Sequence, residues 1–262
     1  MTNQFNRNYH THCYLCKHAK GTIEEYVLEA IQKGFKAIGF SDHAPMKFLQ
    51  HRSLRMHEQD YPIYLKELKQ AIVKYYEYIL IYKSLEIEYF DNLHNRYEKL
   101  LDELDYLILG QHYILDEGKL KSVYKIKTLK ELTIYKTTII KAMRTKYFKI
   151  LAHPDIFLIN QGELKKEIID LCKEIILVAK QENVLLEINA NGYRKKKHEE
   201  NGKLYNVYPR EEFWRLVKEL NAKAIISADA HHPKHLTDEA IYQAQKLSID
   251  LSIEVEEELV LD

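Results

Sequence analysis

The stretch HTHCYLCKHAKGTIEEYVLEAIQKGFKAIGFSDHAP, residues 10–45, contains one complete structural unit of the chain. Its middle part, TIEEYVLEAIQK (22–33), predicts a helix whose first turn has a capping box formed by Thr22 and Glu25. KAIGF (36–40) follows and predicts a strand. A helix that connects two short apolar strands indicates a β/α unit with parallel strands.

The same alternation continues on both sides of this unit. Strands are predicted at residues 6–10, 36–40, 81–89, 106–110, 148–152, 184–189 and 223–228. Helices are predicted at residues 22–33, 61–79, 93–104, 128–146, 163–182, 209–220 and 237–247. Asp60 is the predicted N-cap of the second helix, with Pro62 in its first turn. Continuous apolar strands alternating with helices predict a parallel sheet that is covered on both faces.

The choice between a barrel and an open sheet rests on length and on motifs. The chain has 262 residues, and an α/β barrel needs roughly 250. It has no glycine-rich dinucleotide fingerprint and no P-loop, which would favour an open sheet. We therefore predict an α/β fold, a distorted (β/α)7 TIM-like barrel with parallel strands, as a single domain over residues 1–262.

The composition is that of a globular protein without a strong charge. Apolar residues make up 46% and charged residues 30%, and 39 Lys plus Arg balance 39 Asp plus Glu. This balance lacks the basic excess of nucleic-acid-binding proteins. No run of 18 apolar residues predicts a membrane span, and MTNQFNRNYH (1–10) lacks the apolar core of a signal peptide. We therefore expect neither nucleic acid nor a membrane as a partner, and the sequence makes no prediction about oligomeric state.

The chain has three cysteines, Cys13, Cys16 and Cys172. This low and odd number argues against a disulfide framework and favours a reducing, cytoplasmic location. The first two form a Cys-x-x-Cys pair. A redox or structural-zinc motif is the less favoured interpretation, because no second cysteine pair follows at zinc-ribbon spacing.

Side chains that commonly bind metals stand at the C-terminal end of nearly every predicted strand. They are His10, His12, His43, Glu86, His112, His153, Asp229 and His231. In barrel enzymes these strand ends meet at one rim, where the chemistry takes place. A single histidine at a strand end is usually a satisfied polar residue, but that explanation fails when so many strand ends coincide. Glu88 and Glu187 are weaker candidates that either support a ligand or form an ordinary ion pair.

These motifs resemble those of the PHP (polymerase and histidinol phosphatase) superfamily, in particular its monofunctional histidinol-phosphatase branch. Residues 10–45 are similar to the opening block of that family, in which His-x-His is followed by Cys-x-His. The later blocks, in the family's order, are SLEIEYF (84–90), GQHY (110–113), LAHPD (151–155), LEINANGYR (186–194) and ISADAHHP (226–233). The resemblance covers almost the whole chain and implies a distorted barrel of seven β/α units.

The resemblance also implies three divalent metal ions, for which Zn, Fe and Mn are all suitable. The implied ligands are His10, His12, Glu86 and Asp229 for the first ion, Glu86, His112 and His153 for the second, and His18, His43 and His231 for the third. His18 lies in the first loop and is assigned by this resemblance alone.

The implied activity is hydrolysis of L-histidinol phosphate to L-histidinol and phosphate, a step of histidine biosynthesis. Ions that share Glu86, with Asp229 as a further ligand in the catalytic group, would activate water, so no catalytic serine or cysteine is needed. Asp42 is a candidate general acid, and its alternative role is to orient a metal ligand. Arg194 is a candidate substrate-binding residue, and a structural ion pair is its alternative. The loop RSLRMHEQDY (52–61) is expected to help recognise the imidazole-bearing part of the substrate.

Two positions depart from the family pattern. Lys17 stands where glycine is expected in the first loop, and LIN (158–160) stands where a basic residue is expected after His-Pro-Asp. The second departure removes an expected phosphate or substrate contact. Two other functions stay open. A PHP phosphoesterase acting on nucleotides or nucleic-acid ends is disfavoured by the neutral charge, and a catalytically silent metal-binding module is disfavoured by the complete ligand set.

Overall fold

The seven predicted strands form one parallel sheet in the structure, a computed structural model that describes residues 5–49, 52–200 and 202–261. The strands are β1 (Arg7–Asn8), β2 (Ala37–Phe40), β3 (Leu80–Ile87), β4 (Tyr106–Leu109), β5 (Tyr113–Asp116), β6 (Lys119–Ser122), β7 (Ile150–Leu151), β8 (Leu185–Asn189), β9 (His198–Glu200), β10 (Lys203–Tyr205) and β11 (Ala224–Ser227). The sheet order is β1-β2-β3-β4-β7-β8-β11, and each of these pairings is parallel. The predicted α/β architecture is confirmed.

The helices alternate with these strands as predicted. They are α1 (Ile23–Gln32), α2 (Tyr61–Tyr75), α3 (His94–Leu101), α4 (Leu129–Arg144), α5 (Lys166–Glu182), α6 (Glu211–Glu219) and α7 (Glu239–Asp250). The capping box of Thr22 and Glu25 begins α1, as expected. Asp60 precedes α2, but its carboxylate does not cap that helix. It accepts a hydrogen bond from the His57 N–H at 3.1 Å and pairs with Lys17 at 2.6 Å.

The two edges of the sheet meet just beyond the C-terminal ends of β1 and β11. Thr11 and Ala230 form a parallel bridge there, and the His12 N–H donates to Ala230 O at 2.9 Å. At the opposite end of β11, Val255 forms a bridge with Ala224, so the segment after α7 covers the seam. The sheet is therefore a nearly closed, distorted barrel.

A small apolar core forms a separate cluster of buried residues. Its members come from the strands and from the segment after α7, and include Tyr9, Tyr106, Ile108, Ile150, Leu185, Ile225 and Leu259. The Leu259 N–H donates to the Tyr9 hydroxyl at 3.2 Å. A larger apolar core includes buried residues of both the strands and the helices. Because all seven strands are parallel, the polar residues that follow their C-terminal ends lie at one rim of the barrel.

Two antiparallel hairpins were not predicted. β5 and β6 follow β4, and β9 and β10 precede α6. Their strands have three or four residues and carry several charges, so they lack the alternating or continuous apolar pattern of a longer strand. Both hairpins lie in connections that start at the C-terminal ends of barrel strands. No helix among the described residues combines the length and the apolar character that a bilayer crossing requires.

Candidate metal centre

The predicted metal-type side chains meet around the carboxylate of Glu86, on β3. This side chain is buried and passes directly over Gly110, where an added Cβ would lie 2.1 Å from Glu86 Oε1. Residue 110 must therefore be glycine, because any side chain would collide with the Glu86 carboxylate. Its backbone conformation does not itself require glycine. The Gly110-Gln111-His112 sequence thus makes room for the carboxylate at the centre of the rim.

One oxygen of Glu86 faces two histidines and an aspartate. His10 Nε2 and His12 Nε2 lie 3.4 and 3.5 Å from Glu86 Oε2, and 3.0 Å from each other. Asp229 Oδ1 lies 3.1 Å from His12 Nε2 and 3.8 Å from His10 Nε2. The structure thus brings together the four residues predicted to bind the first ion.

The other oxygen of Glu86 faces the residues predicted for the second ion. His153 Nε2 lies 3.0 Å and His112 Nε2 lies 3.5 Å from Glu86 Oε1. One carboxylate therefore joins the two predicted ligand sets. We call these six residues the inner group: His10, His12, Glu86, His112, His153 and Asp229.

Three further histidines, which we call the outer group, lie beside the inner group: His18, His43 and His231. The Nε2 atoms of His18 and His231 are 2.9 Å apart, and the rings of His18 and His43 are stacked with centroids 5.3 Å apart. His43 Nδ1 lies 2.9 Å from Glu86 Oε2. Part of His18 is open to solvent, but its ring lies against those of its two predicted partners.

Glu187 fixes the position of two inner-group residues. Its Oε1 lies 2.7 Å from His10 Nδ1, and its Oε2 accepts hydrogen bonds from the His153 N–H at 3.0 Å and from Asn189 Nδ2 at 2.7 Å. A carboxylate that accepts a hydrogen bond from Nδ1 leaves Nε2 free to bind a metal and sets the orientation of the ring. Of the two roles considered for Glu187, the contacts favour support of a ligand.

Glu88 holds His112 in a similar way. Glu88 Oε1 lies 3.2 Å from His112 Nδ1, and Arg55 donates to both carboxylate oxygens at 2.7 and 3.2 Å. Arg55 belongs to the loop expected to recognise substrate, but its guanidinium is buried in this ion pair. The sequence does not predict this role, because no motif in the loop pairs Arg55 with a residue 33 positions further on.

Two of the three outer-group rings are held by backbone carbonyls. His18 Nδ1 lies 3.0 Å from Cys16 O, and His231 Nδ1 lies 3.0 Å from Asp229 O. A carbonyl can only accept, so Nδ1 carries the proton in both rings and Nε2 is left as the metal-binding atom. These contacts are local in sequence, in contrast to the carboxylates that hold the inner group.

Two inner-group residues have an unfavourable backbone conformation. The φ angles of His153 and Asp229 are 31° and 43°, in the left-handed region that residues with a Cβ rarely adopt. Such strain persists only where surrounding contacts enforce it, and it is concentrated at functional sites. Both residues stand at the point where a barrel strand turns into the rim.

Carboxylates control the protonation of the inner group. Burial disfavours the charged form of His10, but Glu187 and Asp229 outweigh burial and raise its pKa to about 10. The pKa values of His12 and His112 are raised in the same way, since neighbouring carboxylates again outweigh burial. The inner group therefore attracts positive charge.

The outer group shows the opposite behaviour. Burial lowers the pKa of His43 to about 3. Burial also lowers the pKa values of His18 and His231, and the nearby His12 imidazolium adds to the effect. These rings are therefore neutral, with lone pairs available for a metal.

The donor set fits divalent metal ions. Two imidazole nitrogens that face each other at about 3 Å, as in the pairs His10–His12 and His18–His231, repel unless they share a proton or a cation. Asp229 Oδ1 is buried and has no hydrogen-bond partner in the described part of the chain. The groups of three potential ligand atoms within 4.8 Å of one another include His10-His12-Glu86, His43-Glu86-His112 and His12-His43-His231. Imidazole and carboxylate together suit Zn, Fe and Mn.

Asp42 is fully buried behind His12. Its oxygens accept hydrogen bonds from the Cys13 N–H at 2.9 Å and the Cys13 thiol at 2.7 Å, and Oδ1 lies 3.7 Å from His12 Nδ1. Orientation of a ligand is therefore the favoured role, and general acid catalysis by Asp42 stays a prediction. Among the described residues, the potential ligand groups include Cys16 but not Cys13, which disfavours a zinc site formed by the Cys-x-x-Cys pair.

The guanidinium of Arg194 donates hydrogen bonds to other residues of the chain. It pairs with both oxygens of Asp238 at 2.7 and 2.8 Å and donates to Ala228 O at 2.7 Å and His235 O at 2.9 Å. These contacts favour the structural ion pair, and the predicted contact with substrate stays a prediction.

Two tyrosines near the inner group were not predicted. The ring centroids of Tyr208 and His153 are 5.5 Å apart. Tyr208 packs so closely on Gly192 that a Cβ there would lie 1.9 Å from Tyr208 O. Tyr124 belongs to a short 3-10 turn after β6, and the N–H of its neighbour Val123 donates to His112 O at 2.9 Å. Both tyrosines lie close to the unpredicted hairpins, so no sequence signal placed them at the rim.

The fold and the site together define a parallel α/β barrel protein with a histidine- and carboxylate-rich metal centre at its rim. The chain belongs to the PHP domain family, which matches residues 8–191. The family predicted from the motifs is thus confirmed.

Named relatives of the chain are known. A Deinococcus radiodurans protein described as a probable histidinol-phosphatase is 26% identical over 231 residues, which cover 86% of this chain and 85% of the relative. The histidinol-phosphatase of Bacillus subtilis is 29% identical over 154 residues, or 55% of this chain and 57% of the relative. The crystal structure of a Lactococcus lactis histidinol phosphate phosphatase, complexed with Zn, L-histidinol and phosphate, has a TM-score of 0.72 and 18% identity, covering 96% of this chain and 95% of that one. At this identity the structural likeness shows the fold alone.

Proposed function

We propose that the chain is a metal-dependent histidinol-phosphate phosphatase, which hydrolyses L-histidinol phosphate to L-histidinol and phosphate in histidine biosynthesis. The observation that carries this proposal is the meeting of the inner and outer groups around Glu86. The similarity to curated histidinol-phosphatases supports the choice of substrate. The protein acts as a single domain in the cytoplasm, where its three free, buried cysteines suit a reducing environment.

The proposed site holds three divalent ions, Zn, Fe or Mn. The inner group provides the ligands of two ions that share Glu86, and the outer group provides those of the third. When bound, such ions polarise phosphoryl oxygens and lower the pKa of water, which is the chemistry that ester hydrolysis needs.

The residues of the chain supply the geometry for this chemistry. Glu187 and Glu88 fix the rings of His10 and His112 so that Nε2 of each faces Glu86. The site is therefore organised before the substrate arrives, and preorganised charges and dipoles contribute a large part of catalysis. No serine or cysteine nucleophile is needed.

Asp42→Asn separates the two roles considered for Asp42. The amide oxygen still accepts the hydrogen bond from the Cys13 N–H, so the local fold should persist. If Asp42 orients His12, metal content and activity fall together. If Asp42 is the general acid, activity falls at full metal content and the pH–rate profile loses its basic limb.

The direct experiment measures phosphate release by the metal-replete protein from L-histidinol phosphate, a nucleoside monophosphate and p-nitrophenyl phosphate. We expect the first ester to be hydrolysed fastest by a wide margin. Comparable rates on all three would leave a phosphatase but contradict the substrate. A preference for the nucleotide would favour the nucleotide-directed alternative, and no turnover with metals bound would favour a silent metal-binding module.

A further inference from the structure

The ligands predicted for the first ion come from the two opposite edges of the sheet. His10 and His12 follow β1, whereas Asp229 follows β11, and these two strands stand at opposite ends of the strand order. Beyond their C-terminal ends, the bridge between Thr11 and Ala230 joins the two edges. The distance between the two halves of this ligand set therefore depends on local contacts across the seam, and not on a continuous ladder of strand hydrogen bonds.

Asn8, on β1, crosses this seam with its buried side chain. Its Oδ1 accepts a hydrogen bond from the Ala228 N–H at 2.7 Å. Its Nδ2 donates to His10 O at 3.0 Å and to Thr11 Oγ1 at 2.7 Å. Both amide protons are used, and the partners define which end of the carboxamide is oxygen. The side chain thus fixes Ala228 relative to the backbone of His10.

Arg194 holds the other side of Ala228. It donates to Ala228 O at 2.7 Å and is itself fixed by both oxygens of Asp238. The next residue is Asp229, whose φ of 43° is in the left-handed region. Such a conformation persists only where surrounding contacts enforce it, and these two contacts fix the peptide units on both sides of Ala228. We call Asn8 and Arg194 the Ala228 clamp.

The carboxylate of Asp229 has one engaged oxygen and one open oxygen. Oδ2 accepts hydrogen bonds from the Nδ2 atoms of Asn189 and Asn191, each at 3.1 Å. Oδ1 is buried without a hydrogen-bond partner in the described part of the chain, and it faces His12 Nε2 at 3.1 Å. The conformation of Asp229 therefore turns its open oxygen towards the histidines on the other edge of the sheet.

We propose that the Ala228 clamp positions the first ion. Asn8 and Arg194 hold Asp229 in its strained conformation, at the distance from the two histidines across the seam that one ion requires. This inference rests on the metal centre of the proposed phosphatase. Both clamp residues are positioning residues, because they act on the backbone beside a ligand and do not belong to the ligand set. Loss of a contact that supports a ligand typically lowers metal affinity about 10- to 100-fold.

The test measures zinc affinity by competition with a chelator, together with the visible absorption spectrum of the cobalt-substituted protein, which reports the geometry of the ligands. Asn8→Ala removes all three hydrogen bonds of the carboxamide. It should weaken zinc binding about tenfold or more and change the cobalt spectrum. Asn8→Asp keeps an oxygen that accepts from the Ala228 N–H, so its zinc affinity should lie closer to that of the unchanged protein.

Ser227→Ala is the matched control. Ser227 is buried next to Ala228, and its hydroxyl has no hydrogen-bond partner among the described residues. This variant should bind zinc like the unchanged protein and show the same cobalt spectrum. If Asn8→Ala does not fold, Arg194→Met takes its place, because it keeps the aliphatic stem but no longer donates to Ala228 O. The same weakening of zinc binding is expected.

Unchanged zinc affinity in a folded clamp variant, even one with a lower free energy of unfolding, would show that the clamp only stabilises the fold and would overturn the proposal. An Asn8→Asp protein as impaired as Asn8→Ala would overturn the role of the contact with Ala228. Absence of zinc binding by the unchanged protein would overturn the metal centre and the clamp together. If Asn8→Ala loses zinc affinity while the unchanged protein fails to hydrolyse L-histidinol phosphate, the clamp stands and the proposed substrate fails.

Discussion

The inner and outer groups use the same side chain, histidine, but the fold holds them differently. Inner-group rings are fixed by carboxylates such as Glu187 and Glu88, which come from distant parts of the chain. Outer-group rings such as His18 and His231 are fixed by carbonyls two residues away. The first arrangement raises imidazole pKa values and attracts cations, whereas in the second the pKa values are lowered. We infer that the inner group binds metal tightly and that the outer group exchanges its ion more easily.

The largest expected effect follows from removing a ligand of the inner group. Asp229→Ala should lose metal and activity together, with turnover reduced roughly 1,000-fold, because a carboxylate that balances the ionic charge is removed. Metal analysis and phosphate release on the same preparation check this result. Full metal content together with full turnover would refute the ligand role.

A smaller effect is expected when only the support of a ligand is weakened. Glu187→Gln keeps an acceptor for the His153 N–H but removes the charge beside His10. Loss of such a partner typically lowers metal affinity about 10- to 100-fold. Competition with a chelator measures this change, and Glu167→Gln, on the exposed side of α5, is the control that should show none. Equal affinity in the two variants would contradict the role of Glu187.

His18→Ala tests the outer group. We expect the protein to lose one ion and retain the others, with activity reduced about tenfold because one Lewis acid is missing. Elemental analysis after gel filtration gives the count. Loss of all ions would show that the inner and outer groups do not bind their ions independently.

The smallest effect concerns the Arg55–Glu88 pair. Arg55→Lys keeps the charge but loses the bidentate contact with Glu88. This should lower the free energy of unfolding by about 1 kcal/mol at pH 6. Burial opposes ionisation of Glu88, but Arg55 outweighs it and lowers the pKa of Glu88 to about 2. The stability contributed by the pair is therefore present above pH 4.5 and is lost as the pH falls towards 2.

Urea unfolding of the metal-free proteins between pH 6 and 3 measures this difference. The difference in free energy of unfolding between the unchanged protein and Arg55→Lys should become smaller as the pH falls. A gap that stays constant across this range would show that Arg55 stabilises the fold without pairing with Glu88.

The sequence predicted the barrel and the meeting of its strand-end ligands for one physical reason. Strands such as Tyr106–Leu109 are continuous and apolar, and parallel strands necessarily bring their C-terminal ends to the same rim. Glu86 and His153 could therefore be placed together although they are 67 residues apart. His18 could be assigned only by resemblance, because a loop residue has no such constraint.

The supporting contacts could not be predicted, because each depends on how loops pack. Arg55 reaches Glu88 across 33 residues, and Asn160 reaches Tyr124 across 36. Neither pair follows from periodicity or from a motif. The hairpin strands that lead to Tyr124 are also too short and too polar to be recognised in the sequence.

Anomalous diffraction from crystals grown with zinc locates the bound ions directly. Our prediction is two strong peaks within the inner group, with Glu86 between them, and a third, weaker peak bound by His18, His43 and His231. Zinc bound elsewhere, for example by Cys13 and Cys16, with no peak in contact with His10 and His12, would contradict it.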